Sequence, residues 1–359
     1  MGTSELTPPR RAAGPWLLGA ALALVWLADF AWALRLGPTR PFSLDEAWRA
    51  LVGGAPLDAT DAIIVRLRAL RALTALSVGG ALALSGAYLQ GLFRNALASP
   101  GVLGVTSGAS LGAALAIAGL GGFGPGALVE SSGRLGPLFV TAFALVGALA
   151  VLVPLVFVAG GGGRISVPAL LLAGMAVNAL CSGLLAAVQS LTLGNFEVAR
   201  ALFAWGFGTL EDRAGWQVAL SWGALALGAL SIPFVALELD LLAGGDEDAA
   251  ALGVSVPRVR ALVLFVSALL AASAVSVAGQ IVFVGLLAPH FVRLVIGSAH
   301  RALLPLSILA GGALLLTADC LQRAWLPGAN LAPGVVLSLI GAPFFLFLLA
   351  SQRRELSSW

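Results

Sequence analysis

The sequence contains no lysine, because all twenty of its Lys and Arg residues are arginines. A P-loop nucleotide site needs a lysine on the nucleotide phosphates. Schiff-base and pyridoxal chemistry also proceed through a lysine amine. The 359 residues therefore exclude a P-loop ATPase site and a lysine-based Schiff-base enzyme.

Charge, cysteine and histidine are also scarce. Charged residues make up 10% of the chain, whereas a soluble domain has about 25%. Cys181 and Cys320 lie in apolar runs, which predicts two buried thiols rather than a disulfide framework. His290 and His300 have no second His or Cys at ligand spacing, so no metal site is predicted. No basic stripe carries interleaved aromatic residues, so no nucleic-acid partner is predicted.

What the chain has in abundance is apolar sequence, at 59% of its residues. A membrane span needs roughly 20 such residues. The sequence predicts ten spans, the eighth too short to cross alone: 16–34, 68–92, 102–120, 135–158, 167–193, 215–237, 259–285, 288–298, 303–321 and 332–350. The first is longer than the ~7–15 residues of a signal-peptide core, so we expect it to be retained.

An even number of spans places both termini on one side. Arginine is nearly balanced between the two sides, so the positive-inside rule does not decide the orientation. The paired arginines at the two ends, Arg10-Arg11 and Arg353-Arg354, favour termini inside.

The stretch from Ser77 to Ala109 is the most informative. It begins as a span, breaks at Arg94-Asn95 and restarts after Ser99-Pro100-Gly101. Glycines recur along it, and small residues let helices approach closely in lipid. Polar residues such as Gln90 need protein or water partners at this depth. The stretch therefore has the composition of a segment that lines a cavity or pathway, rather than that of a simple membrane anchor.

Part of this stretch recurs later in the chain. The pattern Ser77-Val78-x-Gly80 with Gly86 and Arg94 returns 199 residues on as Ser276-Val277-x-Gly279 with Gly285 and Arg293. The two copies are predicted to cross in opposite directions, as in the inverted repeats of transporters. A chance match in a low-complexity sequence is the alternative.

Residues 238–257 are the only long polar stretch between two strong spans on the inner side. Gly244-Gly245 predicts a turn, and Asp246-Glu247-Asp248 predicts the start of a second short helix, where carboxylates are favoured. The stretch is either a solvated connector or a rigid helical surface on which another protein docks. Its leucines favour the docking surface.

Arginines on the outer side have two interpretations. Asp319 and Arg323 are spaced i, i+4 and can pair on one helix face. Alternatively, Arg323 joins Arg68 and Arg71 in a basic ring that docks an acidic partner.

Seven motifs together resemble the FecCD/BtuC-type permease subunits of bacterial ABC importers for iron-siderophores, haem and cobalamin. They are ALALSGAYLQGLFRNALASPGVLGVTSGA (81–109), LLAGMAVNALCSGLLAAVQS (171–190), WGFGTL (205–210), GLLAPHFVRL (285–294), HRALLP (300–305), ADCLQR (318–323) and PGVVLSLIGAPFFLFLL (333–349). Two of the family's usual prolines are absent, which affects local helix geometry: the pattern R-L-P-R reads Arg68-Ala69-Leu70-Arg71, and R-N-P-L-A reads Arg94-Asn95-Ala96-Leu97-Ala98.

The resemblance implies an all-α polytopic membrane protein with about ten helices and the type II ABC importer permease fold with an inverted repeat. One permease domain would fill residues 1–359, with cytoplasmic tails at 1–15 and 351–359. The protein would lie in the bacterial inner membrane with both termini in the cytoplasm.

The resemblance also implies partners. Two ATPase subunits, which carry ATP and Mg, would dock on the coupling helices 238–257, and this chain would bind no cofactor. The implied coupling residues are Leu241, Leu242, Ala243, Gly244, Gly245, Asp246, Glu247, Leu252 and Gly253. A substrate-binding protein would dock on Arg68, Arg71 and Arg323. A second, identical permease copy would complete the pathway, with a different permease chain as the alternative.

The second and fifth spans would line that pathway, through Ser85, Gly86, Leu89, Gln90, Met175, Asn178 and Ser182. The predicted function is a non-enzymatic permease subunit that translocates a metal chelate, driven by ATP hydrolysis on separate subunits. A stand-alone ion-coupled transporter is the main alternative. It needs a carboxylate at membrane depth, but Asp29 and Asp319 lie near span ends. A scaffold protein is a more distant alternative.

Overall fold

The computed structural model describes residues 14–37, 40–52, 58–121, 135–160, 167–325 and 331–351. These residues form helices and no strand. The helices are α1 (Pro15–Arg35), α2 (Leu44–Val52), α3 (Ala59–Phe93), α4 (Val105–Gly119), α5 (Leu135–Gly160), α6 (Val167–Thr192), α7 (Phe196–Gly206), α8 (Gly215–Leu230), α9 (Ile232–Leu242), α10 (Asp246–Ala251), α11 (Val256–Ala278), α12 (Val284–Ile296), α13 (His300–Trp325) and α14 (Pro333–Ser351). The predicted tails lie almost wholly outside the described residues.

Each predicted span corresponds to a helix of the described part, but the spans are unequal. Six helices are long and apolar enough to cross a membrane, and α8 with α9 forms a seventh candidate that bends by 55°. The bend lies where Pro233, without a backbone N–H, enters the first turn of α9. Three further apolar helices, α4, α12 and α14, are shorter. The all-α polytopic fold is confirmed, with ten as an approximate count.

The helix α3 is the centre of the bundle. It has 35 residues, and 94% of its apolar window is buried inside the chain. It packs against α8, α11, α12 and α13. A central helix is therefore covered by other helices on most of its length.

Glycine lets α3 approach its neighbours at backbone distance. A Cβ added at Gly86 would overlap the carbonyl oxygen of Gly285 on α12. At Gly79, an added Cβ would overlap the carbonyl oxygen of Gly311 on α13. Close backbone packing of this kind is a principal source of helix association in lipid.

The predicted break after α3 is confirmed. Arg94 caps α3 in the left-handed conformation with φ of 50°. The Asn95 side chain then accepts a hydrogen bond from the backbone of Leu97. A 3₁₀ turn over Pro100–Leu103 leads to Gly104, with φ of 76°, where α4 begins.

The second copy of the repeated pattern is divided between two helices, as the separate predicted spans 259–285 and 288–298 imply, but the division lies earlier in the chain than predicted. The helix α11 ends at Gly279, whose φ of 74° suits glycine, and α12 starts at Val284. The predicted span 259–285 is therefore shorter. Because Gly86 meets Gly285 and Arg293 donates to Gln90, α12 runs parallel to the end of α3. An inverted relation between larger halves of the chain stays a prediction.

The bundle has two polar ends. We call one the loop end, comprising residues 91–99, 240–256, 260 and 293–300. We call the other the arginine end, comprising residues 33–37, 40, 44–52, 61–71, 209–213 and 319–323. The helices α3 and α13 each run from one end to the other.

We predict that Gly86→Ala destabilises the bundle, because the added Cβ forces α3 away from α12. Overpacking of this kind costs about 1–3 kcal/mol. The measurement is the temperature at which the detergent-solubilised protein loses its monodisperse size-exclusion peak. The control is Gly223→Ala on α8, where an added Cβ meets no atom within 4 Å. Equal stability of the two variants would contradict the close-packing argument.

Candidate functional site

The predicted coupling segment folds as two short helices joined by a turn. The helix α9 ends at Leu242 and α10 begins at Asp246. Gly245 between them has φ of 135°, a conformation that is accessible to glycine and strained for other residues. The predicted turn and the helix start at Asp246 are confirmed.

The leucines of this segment face two ways. Leu239 and Leu242 are buried, at 0% and 2% exposure, and hold α9 against the bundle. Leu252, at the end of α10, is 67% exposed. An exposed leucine next to a rigidly anchored helix offers apolar area to a partner.

The nine predicted coupling residues therefore differ in accessibility. The exposed members are Ala243, Gly244, Glu247, Leu252 and Gly253, and the half-buried members are Leu241, Gly245 and Asp246. Only Leu242 is buried. The segment presents a mixed surface at the loop end, and its coupling role stays a prediction.

Asp246 ties the start of α10 to two other helices. Its Oδ1 accepts from Arg94 at 2.7 Å, and its Oδ2 accepts from Arg260 at 2.6 Å. Arg94 ends α3, and Arg260 lies in the first turns of α11. One carboxylate thus joins α10 to the ends of α3 and α11, a bridge that the sequence pattern did not reveal.

At the arginine end, a buried carboxylate holds two arginines. The Asp319 side chain is 0% exposed; Arg71 donates to it at 2.7 Å, and Arg323 lies at 2.9 Å. Arg71 also contacts Glu211 at 2.5 Å. The i, i+4 pair predicted for Asp319 and Arg323 is confirmed, and α13, α3 and the loop before α8 are joined at one point.

Arg68 is also engaged inside the chain. It is 6% exposed and donates to the carbonyl oxygens of Leu34, at 2.9 Å, and Arg35, at 3.2 Å. Its guanidinium lies 4.9 Å from the centre of the Phe42 ring. All three arginines predicted to dock a partner therefore make internal contacts. Their docking role stays a prediction.

Arg40 fastens the segment that carries α2 to the start of α3. Its guanidinium lies 2.7 Å from Asp61 and 3.1 Å from Glu46, and these hydrogen bonds raise the pKa of Arg40. The backbone N–H of Ser43 donates to Glu46 and lowers the pKa of that carboxyl. The cluster is exposed, so it orients α2 more than it stabilises the fold.

The predicted pathway residues of α3 lie in the interior of this chain, and their lining role stays a prediction. Ser85 and Leu89 are 0% exposed, Gln90 is 2% exposed, and Gly86 packs on Gly285. Ser85 donates to the carbonyl oxygen of Ser267, and Gln90 bonds α12. In this chain they do not face the surface of the bundle. The small residues of α3 were the available signal, since they allow close helix packing, whereas α6 has a similar hydropathy and is largely exposed.

The predicted residues of α6 are placed differently. Met175 is 58% exposed, Ser182 is exposed and Asn178 is half-buried. Only 11% of the apolar window of α6 is buried inside the chain. The helix therefore offers a long face to lipid, to a pathway or to another chain, and its lining role stays a prediction.

Cavities surround α7, and no local sequence pattern indicates them, because their walls come from distant segments. One of about 290 Å³ is lined by Thr141, Trp205, Arg213 and Ser276, among others. Another of about 550 Å³ lies between Arg71 and residues 331–335. Burial beside the first cavity lowers the pKa of Arg213 to about 10.

The described residues contain no group of three or more His, Cys, Asp or Glu side chains that could hold a metal ion. His300 instead contacts Asp240, with its Nδ1 2.6 Å from the carboxylate. Cys181 and Cys320 are buried free thiols, as predicted.

Comparison with known proteins gives consistent matches. Residues 22–351 match the FecCD transport family. The chain is 39% identical over 326 residues to the hemin transport system permease protein HmuU of Yersinia pestis, covering 90% of this chain and 94% of that protein. It is 39% identical over 302 residues to the cobalamin import system permease protein BtuC of Halobacterium salinarum, covering 84% and 76%.

A solved structure shares the fold. It is described as an inward-facing conformation of a metal-chelate type ABC transporter, and the TM-score is 0.79 at 29% identity. The match covers 94% of this chain and 99% of that chain.

We predict that Asp319→Asn strongly destabilises the protein, because two buried guanidinium groups lose their shared charge. Breaking a buried pair costs about 3–5 kcal/mol. Thermal unfolding of the detergent-solubilised protein measures the effect. The control, Asp45→Asn, removes an exposed i, i+4 pair with Arg49 and should leave the melting temperature unchanged. Equal melting temperatures for the two variants would contradict the assignment.

Proposed function

We propose, since the chain belongs to the FecCD transport family, that it is the permease subunit of an ABC importer for a metal chelate. Two copies of the chain would form the pathway across the cytoplasmic membrane, with both termini in the cytoplasm. ATP hydrolysis on two separate subunits would drive transport. The absence of lysine supports this division of labour, because the chain has no P-loop of its own.

The observation that carries the proposal is the anchored α9–α10 segment. Asp246 ties it to α3 and α11, while Leu252 and Gly253 face outward at the loop end. A segment that is accessible to a partner and also connected to the bundle can pass the partner's movement to the bundle. ATP hydrolysis on that partner would shift α10, and the bundle would follow.

The substrate class comes from the relatives. Two of them are named for hemin and cobalamin, and the structural relative is of the metal-chelate type. The accessible face of α6, with Met175, Asn178 and Ser182, supplies the small and weakly polar surface that a large chelate needs. We therefore place the pathway between the α6 faces of two copies.

A substrate-binding protein would dock at the arginine end. Arg71 and Arg323 keep 13% and 10% of their side chains exposed beside Asp319, and Arg68 lies one turn from Arg71. Acidic side chains on the partner would complement this charge. The ion pairs inside the chain would hold the arginines in position for it.

An ion-coupled transporter is less well supported. Such a protein needs a carboxylate at membrane depth that can release and take up its ion. Asp29 of α1 is bonded by Thr317, and Asp319 of α13 is bonded by two arginines. Both carboxylates are therefore already engaged.

The test is copurification followed by transport. We expect affinity-tagged chain from its native membranes to retain an ATP-binding-cassette subunit, identified by mass spectrometry. In proteoliposomes, the complex with its binding protein should accumulate ⁵⁵Fe-haemin, ⁵⁷Co-cyanocobalamin or ⁵⁵Fe-ferrichrome only with MgATP. Uptake by the chain alone along an ion gradient would overturn the proposal.

A second prediction locates the ATPase contact. Leu252→Asp should reduce the retained ATPase at least tenfold, because burying a leucine side chain contributes about 1.5–3 kcal/mol. Val52→Asp is the matched control: Val52 is 65% exposed at the arginine end, against 67% for Leu252. Quantitative mass spectrometry of the two complexes measures the retention. An equal loss in both variants would show that α10 is not the contact.

A further inference from the structure

A contact at the loop end joins the segment α9–α10 to α13. The Asp240 Oδ1 accepts a hydrogen bond from the backbone N–H of His300 at 3.0 Å and lies 2.6 Å from its Nδ1. Asp240 is in the last turn of α9, and His300 is the first residue of α13. One carboxylate oxygen thus holds both the backbone and the ring of the residue that starts α13.

The His300 ring has little freedom to move. It is 6% exposed, and a Cβ added at Gly91 of α3 would overlap its Nε2. That Nε2 is buried without a hydrogen-bond partner among the described residues. The ring is therefore held between Asp240 on one side and the α3 backbone on the other, so a displacement of α9 moves the start of α13.

The helix α13 carries this displacement to the opposite end of the bundle. It is continuous from His300 to Trp325, which corresponds to about 38 Å at 1.5 Å per residue. Along its length it packs on α3, through the contact of Gly79 with Gly311. Asp319 and Arg323, near its far end, belong to the buried ion cluster with Arg71.

The other link of the segment, through Asp246, is more exposed. In the pair of Asp246 with Arg94, both side chains are 40% exposed, and in its pair with Arg260 the arginine is 20% exposed. In the pair of Asp240 with His300, the side chains are 32% and 8% exposed. Exposed ion pairs constrain geometry little, whereas the contact of Asp240 holds both the backbone and the ring of a buried residue.

We propose that Asp240 and His300 are positioning residues that transmit movement of the coupling segment through α13 to the arginine end. This inference rests on the proposed function. In this inference, the contact between Asp240 and His300 links ATP hydrolysis at the loop end to the docking surface at the arginine end. Loss of the contact uncouples the two without removing either surface.

The test measures ATP hydrolysis and substrate uptake together in proteoliposomes of the complete complex. The substrate is whichever of the three labelled chelates the wild type accumulates. Asp240→Ala keeps ATP hydrolysis within about twofold, and its uptake per ATP falls at least tenfold, about 1.4 kcal/mol. Asp240→Asn retains an acceptor oxygen for both His300 nitrogens and transports like the wild type. Asp45→Ala, on the exposed face of α2, is the control and changes neither quantity.

A second variant separates geometry from charge. Asp240→Glu keeps the carboxylate but lengthens the link by about 1.5 Å, so its uptake per ATP also falls. This variant carries the test if Asp240→Ala does not assemble.

The outcomes are distinguishable. Unchanged uptake per ATP in both Asp240→Ala and Asp240→Glu overturns the inference and leaves the proposed function intact. Parallel loss of hydrolysis, uptake and melting temperature indicates a purely structural contact and also overturns it. Absence of ATP-dependent uptake in the wild type overturns the proposed function itself.

Discussion

The fold depends on backbone contact between α3 and the helices around it. Lipid tails are as apolar as the side chains, so the hydrophobic effect adds little to helix association within a membrane. Close packing must replace it. Glycines at positions 79 and 86 bring α3 against α13 and α12 with no side chain between them. This contact explains why α3 is the most buried long helix of the described bundle.

The most buried charge pairs of the described residues lie at the two ends of the bundle and join different helices. Asp319 holds Arg71 and Arg323, and Asp240 holds His300. An unpaired charge in such surroundings would be costly. The same pairs that satisfy this requirement also join helices that are distant in sequence. In a transporter, such joints stabilise the bundle and can also pass movement between its ends.

The two polar ends give α13 its central place in the proposed mechanism. Its first residue lies at the segment offered to the ATPase, and its last turns lie where the binding protein would dock. The helix α6 differs from α13, because its face is accessible along most of its length. The proposed division, in which interior helices transmit movement and the accessible face of α6 lines the pathway, rests on which helices are buried. It is consistent with a family whose named members are permeases.

The sequence by itself determined the order of the spans and their approximate number, the break at Arg94, the turn at Gly245 and the pair of Asp319 with Arg323. Each depends on a local pattern: apolar runs, turn residues or i, i+4 spacing. Only the tertiary structure decided that Ser85 to Gln90 are interior, that the repeated pattern is split at Gly279, and that α9 meets the start of α13. These depend on contacts between residues far apart in the chain, 60 positions for Asp240 and His300 and 248 for Arg71 and Asp319. Periodicity assigns a face to a helix, but it does not say which neighbour covers that face.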